Sequence, residues 1–337
     1  MFSDQSRVMG FSRICGLRSG ACLSVPMRFS VLALALCFWG SPFVKADEVR
    51  REMDVDYLEA GRKEKLDIYL PADVAVAKVP DNTRPAVVWI HGGGWINGTK
   101  SENRAKEFCI TLAEAGFVAA SIDYRLGKGA WPQNLYDCKN AVRFLRVNAT
   151  RYGIDPARIA VAGGSAGGHL ALMVGLTADQ PELEPSVPYP GVSSSVRCVI
   201  DMYGITNILT RQKTDTKGRP TGEQNLSSAR TVFGVDDAND PIFKLGSPVN
   251  HVTPKSPPVL ILHGLADTTV DHPQSEELDR ILTQKGVPHE MHLLEGVGHT
   301  FTLETWRSQP LPQDLRPIVI AFLKKHLSNG SLDGVNP

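Results

Sequence analysis

Arg158-Ile159-Ala160-Val161-Ala162-Gly163-Gly164-Ser165-Ala166-Gly167-Gly168 is the stretch that decides the fold. Residues 158–162 form a short apolar run suited to a buried strand, and residues 166–175 favour a helix. Between them lies a turn sharp enough to put one hydroxyl, that of Ser165, at its apex. Such a turn forces the serine to positive φ, which is tolerable only if the residues two before and two after it carry no side chain to collide. Gly163 and Gly167 meet that demand. The helix that follows aims its N-terminal amides and the positive end of its dipole at Ser165, so negative charge developing there is stabilised. A chain with 30 glycines can produce Gly-x-Ser-x-Gly as an ordinary tight turn, so the neighbouring motifs must decide.

His91-Gly92-Gly93-Gly94-Trp95 closes a second buried-strand pattern, residues 85–90. Three glycines let the backbone pass close to a ligand with its amides exposed. In acyl transfer such amides hold the oxyanion, each contributing about 2.7–4 kcal/mol of transition-state stabilisation. Gly93, Gly94 and Ala166 are the expected donors. A phosphate-binding loop is excluded, because Thr99 stands where that motif requires its lysine.

A serine nucleophile needs a base, and the base needs an acceptor that fixes its tautomer. Asp267 follows the apolar run 258–262 and the turn His263-Gly264-Leu265-Ala266. His299 lies in Gly296-Val297-Gly298-His299-Thr300, after the short strand pattern 289–294. The order Ser165, Asp267, His299 is serine, acid, histidine, the chain order of the α/β-hydrolases. Asp201, after Val199-Ile200, is the competing acid, and His91 reads as a structural group that steadies the glycine loop.

Residues 163–169, 91–95 and Asp123-Tyr124-Arg125-Leu126 together make residues 52–328 resemble an α/β-hydrolase of the HGGG esterase/lipase superfamily. Within it the chain is most similar to the carbohydrate-esterase branch that includes bifunctional feruloyl and acetylxylan esterases. The hormone-sensitive-lipase branch usually carries an acidic residue just before the nucleophile, and here that place holds Gly164. The resemblance implies a serine ester hydrolase, acting on short-chain or carbohydrate-linked (acetyl or feruloyl) esters through an acyl-enzyme, with no cofactor and no metal.

The remaining pattern agrees with an α/β fold. Strands are predicted at 65–70, 86–90, 118–123, 159–162, 196–201, 259–262 and 290–294, and helices at 105–115, 135–152, 166–178, 274–285 and 314–327. Continuous apolar runs alternating with helices imply a mostly parallel, doubly wound sheet with its crevice at the strands' C-terminal ends. Two segments break the alternation: residues 180–195, rich in proline and serine, and residues 203–257. The second reads as a polar cap or rim over the crevice, carrying Arg211, Gln212, Lys213, Arg219, Glu223, Gln224 and Asn225 without a lipase lid's apolar stripe.

Residues 1–46 read as a signal peptide: Arg28, the apolar core 29–39, and Val44-Lys45-Ala46 before Asp47. That core is shorter than the roughly 20 residues a membrane span needs, so export to the periplasm or exterior is expected rather than stable membrane insertion. Met27 is as good a start as Met1, and Cys37 is a poor lipoprotein site because Leu36 precedes it. Residues 47–337 are expected to form one catalytic domain. Losing Arg7, Arg13, Arg18, Arg28, Lys45 and Asp4 turns an equal count of 36 basic and 36 acidic groups into an acidic excess of four, which offers nucleic acid no basic field. Cys109, Cys138 and Cys198 remain of the six cysteines and fit buried free thiols. The partner implied is a small-molecule or polysaccharide ester. Two rivals stay open: a prolyl-oligopeptidase-like exopeptidase, whose usual propeller has no room in the residues before His91, and an inactive hydrolase fold used as a binding module.

Overall fold

The computed structural model of the chain describes residues 49–72, 83–178 and 180–328. The expected signal peptide and Cys37 lie outside these residues. In chain order the described residues form β1 (Arg50–Val55), β2 (Leu66–Leu70), β3 (Arg84–Ile90), α1 (Asn103–Glu114), β4 (Val118–Ile122), α2 (Gln133–Val147), α3 (Ala149–Tyr152), β5 (Ile154–Gly164) and α4 (Ala166–Leu176). After these come β6 (Val199–Met202), β7 (Gln212–Thr214), β8 (Pro220–Gln224), α5 (Ser227–Phe233), α6 (Ile242–Leu245), β9 (Val259–Gly264), α7 (Pro273–Lys285) and β10 (His289–Leu294). A two-residue hairpin, β11 (Thr305–Trp306) with β12 (Gln309–Pro310), precedes α8 (Arg316–His326).

Eight strands make one sheet in the order β1-β2-β4-β3-β5-β6-β9-β10. β2 pairs antiparallel with both β1 and β4, and all pairings from β4 to β10 are parallel. Side chains alternate across a strand. In β3, Ala86, Val88 and Ile90 therefore enter a core shared with α2, α4 and α7, while Val87 and Trp89 enter a second core shared with α1 and α8. Both faces are covered, so the parallel strands read as unbroken apolar runs. The fold is the α/β-hydrolase fold, with every parallel strand ending at the same edge.

Three departures from the sequence-based expectation have local causes. β1 was not expected, because Arg50-Arg51-Glu52 is polar and the strand is an exposed edge bonded only to β2. The helix expected over 135–152 is interrupted at Asn148, whose Nδ2 donates to the Phe144 carbonyl at 2.9 Å, a local bond that competes with helix continuation. The segment 203–257 is less polar than expected. It holds the hairpin β7–β8 and two short helices whose inner faces, Ala229, Val232, Phe233 and Phe243, are buried. Arg211, expected on a polar exterior, is only 7% exposed.

Cys109, Cys138 and Cys198 are free and buried. Among the described residues no helix is long and apolar enough to cross a membrane, and no cluster of His, Cys, Asp and Glu is arranged to hold a metal.

Candidate active site

Ser165 joins β5 to α4 with φ 57° and ψ −122°, a conformation a side chain tolerates only when its surroundings hold it there. Four glycines make this possible by contact. A Cβ on Gly163 would lie 2.3 Å from the Gly167 carbonyl oxygen, and one on Gly167 would lie 2.0 Å from that of Ile90. At Gly168 a Cβ would meet the Asp201 carboxylate at 2.4 Å, and at Gly164 it would meet the Tyr203 hydroxyl at 2.9 Å. No acidic side chain fits at position 164, because the Tyr203 ring fills that space. Gly167→Ala is expected to lower stability by about 3 kcal/mol or more, since the obstructing atom is backbone that cannot step aside. Thermal unfolding measures this, and an unchanged midpoint would show that the elbow relaxes.

The hydroxyl of Ser165 meets two side chains from other strand ends. His299, beyond β10, accepts from Ser165 Oγ at Nε2 over 2.9 Å, and its Nδ1–H donates to Asp267 Oδ2 over 2.6 Å. Asp267 lies beyond β9 and is fully buried. Its Oδ1 accepts the backbone amides of Thr269 (2.8 Å) and Val270 (3.0 Å). Burial opposes ionisation of this carboxyl, but hydrogen bonds from His263 and His299 outweigh it and hold Asp267 well below the usual carboxylate range. Tyr203 fixes the imidazole from the side, its ring edge-on to His299 with centroids 4.8 Å apart and its hydroxyl bonded to the Phe301 carbonyl.

Asp201 is not part of this chain. Its carboxyl is buried at the end of β6 between Gly168 and Gly204, with no well-formed hydrogen bond to either oxygen among the described residues. Burial raises its pKa to about 7, only partly offset by His263 and the Gly204 amide. The structure thus brings Ser165, Asp267 and His299 together and leaves the competing acid apart.

The glycine loop runs beside the serine. A Cβ on Gly92 would stand 3.2 Å from that of Ser165. Gly93 and Gly94 have φ 106° and 61°, and neither of their amides donates to a protein acceptor among the described residues. His91 faces inward: its Nδ1 donates to the Gly92 carbonyl at 2.7 Å and its ring stacks on Tyr124, whose hydroxyl bonds the His91 carbonyl. Trp95 anchors the far end by donating to Nδ1 of His169, while Nε2–H of His169 donates to the Gly246 carbonyl. Burial pushes His169 down to about 4, so it stays a neutral bridge between glycine loop, nucleophile helix and the 203–257 segment.

These groups open on a cavity of about 350 Å³, whose lining includes Gly92 to Trp95, Ser165, His299, Glu102, Arg104, Tyr203, Ile205, Arg211 and Ser228. Such an arrangement suits attack by Ser165 on a carbonyl, with His299 taking the proton and the free amides facing the oxyanion. Two participants were not expected from the sequence. His263 lies fully buried behind Asp267, its Nε2 3.3 Å from Oδ2 and its Nδ1 accepting from Ser275. The pattern His263 to Asp267, four residues apart across one turn, was the available signal. Arg211, read from the sequence as one of several polar residues on the rim, enters the cavity from a segment with no regular period, and nothing in the sequence set it apart from its neighbours.

The chain belongs to the BD-FAE family of α/β-hydrolases, whose model matches residues 66–282. It is 30% identical to the esterase LipQ of Mycobacterium tuberculosis over 253 residues, 74% of this chain and 57% of that protein. It is 32% identical to the esterase LipC of the same organism over 67% of this chain and 55% of that one. The chain therefore spans little more than half the length of these curated relatives. Among solved structures, a truncated carbohydrate esterase from gut microbiota superposes with TM-score 0.71 at 26% identity, covering 84% of this chain and 98% of that one. A propionate-bound esterase of Thermogutta terrifontis gives TM-score 0.62 at 29% identity, covering 84% and 96%.

Proposed function

We propose that this protein is a serine carboxylic ester hydrolase that acts on short-chain or carbohydrate-linked esters. The observation that carries the reading is the continuous hydrogen-bonded chain from Ser165 through His299 to Asp267, opening on the cavity beside the unbonded Gly93 and Gly94 amides. His299, oriented by Asp267, removes the proton of Ser165 as its oxygen attacks the ester carbonyl. The alcohol leaves with that proton, and water, activated by the same imidazole, releases the acid. Gly93, Gly94 and Ala166 hold the oxyanion in both steps. A cavity of about 350 Å³ fits a small acyl group and part of an alcohol rather than a long fatty chain. The propionate bound to the Thermogutta terrifontis esterase and the description of the gut-microbiota protein as a carbohydrate esterase support the same reading. Residues 1–46 are proposed as an export signal, for which a mature N-terminus near Asp47 is the expected sequencing result.

The test is a panel of nitrophenyl esters from acetyl to palmitoyl, with acetylated xylan, methyl ferulate and a nitroanilide. Turnover is expected to peak between acetyl and butyryl, with the anilide cleaved at least about 100-fold more slowly. Preferential cleavage of the anilide, or of the longest chains, would overturn the reading.

A further inference from the structure

Arg211 is a buried cation with no ion-pair partner among the described residues. Arg211 is one of the residues lining the catalytic cavity, yet the partners of its guanidinium are neutral: Nη1 donates to the Ser228 hydroxyl at 3.2 Å and Nη2 to the Thr269 carbonyl at 2.9 Å. Among the described residues Nε has no hydrogen-bond partner. The carboxylates whose fields reach it are Asp271 and Asp267, and neither is in ion-pair contact with it. Asp267 is committed to His299 and His263, and Asp271 accepts the Gln212 amide. Elsewhere in the same cavity Arg104 shows the ordinary arrangement, bonded to Glu102 at 3.0 Å. A guanidinium cannot shed its proton to escape burial, so an unpaired one is costly unless a ligand completes it. Its two ties run to the helix beside Gly94 and to the loop after Asp267, which fixes the side chain; Nε is itself covered, and Nη1 and Nη2 each keep a second N–H for a ligand's acceptor.

We propose that Arg211 recognises a carboxylate on the substrate, so that the preferred esters are anionic ones. The proposal rests on the esterase reading and narrows it: for a carbohydrate the matching class is a uronic acid acylated on a hydroxyl with its carboxylate free, and on the acyl side it is a half-ester of a dicarboxylic acid. Because Arg211 shares one cavity with Ser165 and His299, the carboxylate can lie on the acyl or the alcohol side of the ester, and the experiment has an arm for each.

The experiment compares two matched pairs of esters by their specificity constants: 4-carboxyphenyl acetate against 4-carbamoylphenyl acetate, and 4-nitrophenyl hydrogen succinate against 4-nitrophenyl butyrate. Each pair is assayed with wild type, Arg211→Gln and Arg211→Lys. One anionic-to-neutral ratio is expected to fall about 10- to 100-fold in Arg211→Gln, as for loss of a charged hydrogen bond, and less in Arg211→Lys; the pair that responds identifies the side. Equal losses on anionic and neutral esters, or ratios unmoved in both pairs, would make Arg211 a strut and overturn the proposal. A binding measurement on wild type tests the same claim whatever happens to turnover or to the variants' folding. Succinate or 4-hydroxybenzoate is expected to raise the melting temperature of wild type, whereas butyramide and 4-hydroxybenzamide are not. If neither anion binds better than its neutral counterpart the proposal fails, whereas carboxylate binding without hydrolysis of any ester would sink the esterase reading alone.

Discussion

Replacing Ser165 by alanine is expected to reduce ester turnover by about 10⁶-fold, the loss found when the nucleophile of a serine hydrolase is removed, while leaving the fold in place. The two halves of the expectation have separate causes. Chemically, the hydroxyl is the group that His299 bonds, and no other hydroxyl occupies the apex of the turn beside Gly92. Structurally, Ser165 Oγ has no further side-chain partner, and alanine keeps the same Cβ at the same positive φ, so neither a packing contact nor a backbone preference changes. The melting temperature should stay within about 2 °C. Hydrolysis of nitrophenyl acetate and labelling by a fluorophosphonate are the direct measurements, and both should vanish together. Labelling that survives in Ser165→Ala would assign the nucleophile to another residue. Absence of labelling in wild type would favour a binding module built on a hydrolase fold.

How far the sequence foretold this site depends on what kind of constraint each residue obeys. Gly163, Gly164, Gly167 and Gly92 are legible because steric exclusion leaves no alternative: backbone or ring atoms stand where their Cβ would go. Asp267 and His299 are legible because they follow apolar runs that become β9 and β10, and the ends of neighbouring parallel strands converge on one edge. The same logic found the sheet's central strands, whose burial on both faces writes an unbroken apolar signal. It missed β1, where an exposed edge strand carries no such signal, and α5 and α6, which span only seven and four residues and are too short to show a period. His263 and Arg211 were missed for a different reason. The four-residue spacing of His263 to Asp267 was a faint local signal that reads equally as a plain turn, and the role of Arg211 comes from a missing partner, which leaves no local pattern. Asp201 and Asp267 both follow apolar runs, so the sequence alone could rank them but not separate them; their surroundings do.

Those surroundings predict opposite behaviour for the two carboxylates. Asp267→Asn is expected to cost about 10⁴-fold in kcat, because an amide in place of the acceptor on Nδ1 stabilises the wrong imidazole tautomer and no longer balances the imidazolium. Asp201→Asn should change kcat by less than about threefold, because its carboxyl touches neither His299 nor Ser165. Stability separates them again, with reversed sign. The folded-state pKa of Asp267 is depressed, so its carboxylate contributes stability above the unfolded value of about 3.9, and that contribution is lost as pH falls through the folded value. Asp267→Asn should therefore melt lower than wild type at pH 7, with the gap closing in acid. The folded-state pKa of Asp201 is raised, to about 7, so the folded protein holds its proton more tightly than the unfolded chain does. Its contribution is fully present below about pH 3.9 and declines as pH rises to 7, a loss of up to about 4 kcal/mol. Asn at 201 keeps the shape and never ionises, so the variant should gain on wild type steadily between pH 4 and 7 and hold a constant lead above. Melting curves at pH 4, 5.5, 7 and 8.5, beside kcat at pH 7, measure both residues at once. Should Asp201→Asn abolish turnover and Asp267→Asn leave it intact, the acid would belong to β6, and the bond between Asp267 and His299 would be a structural one.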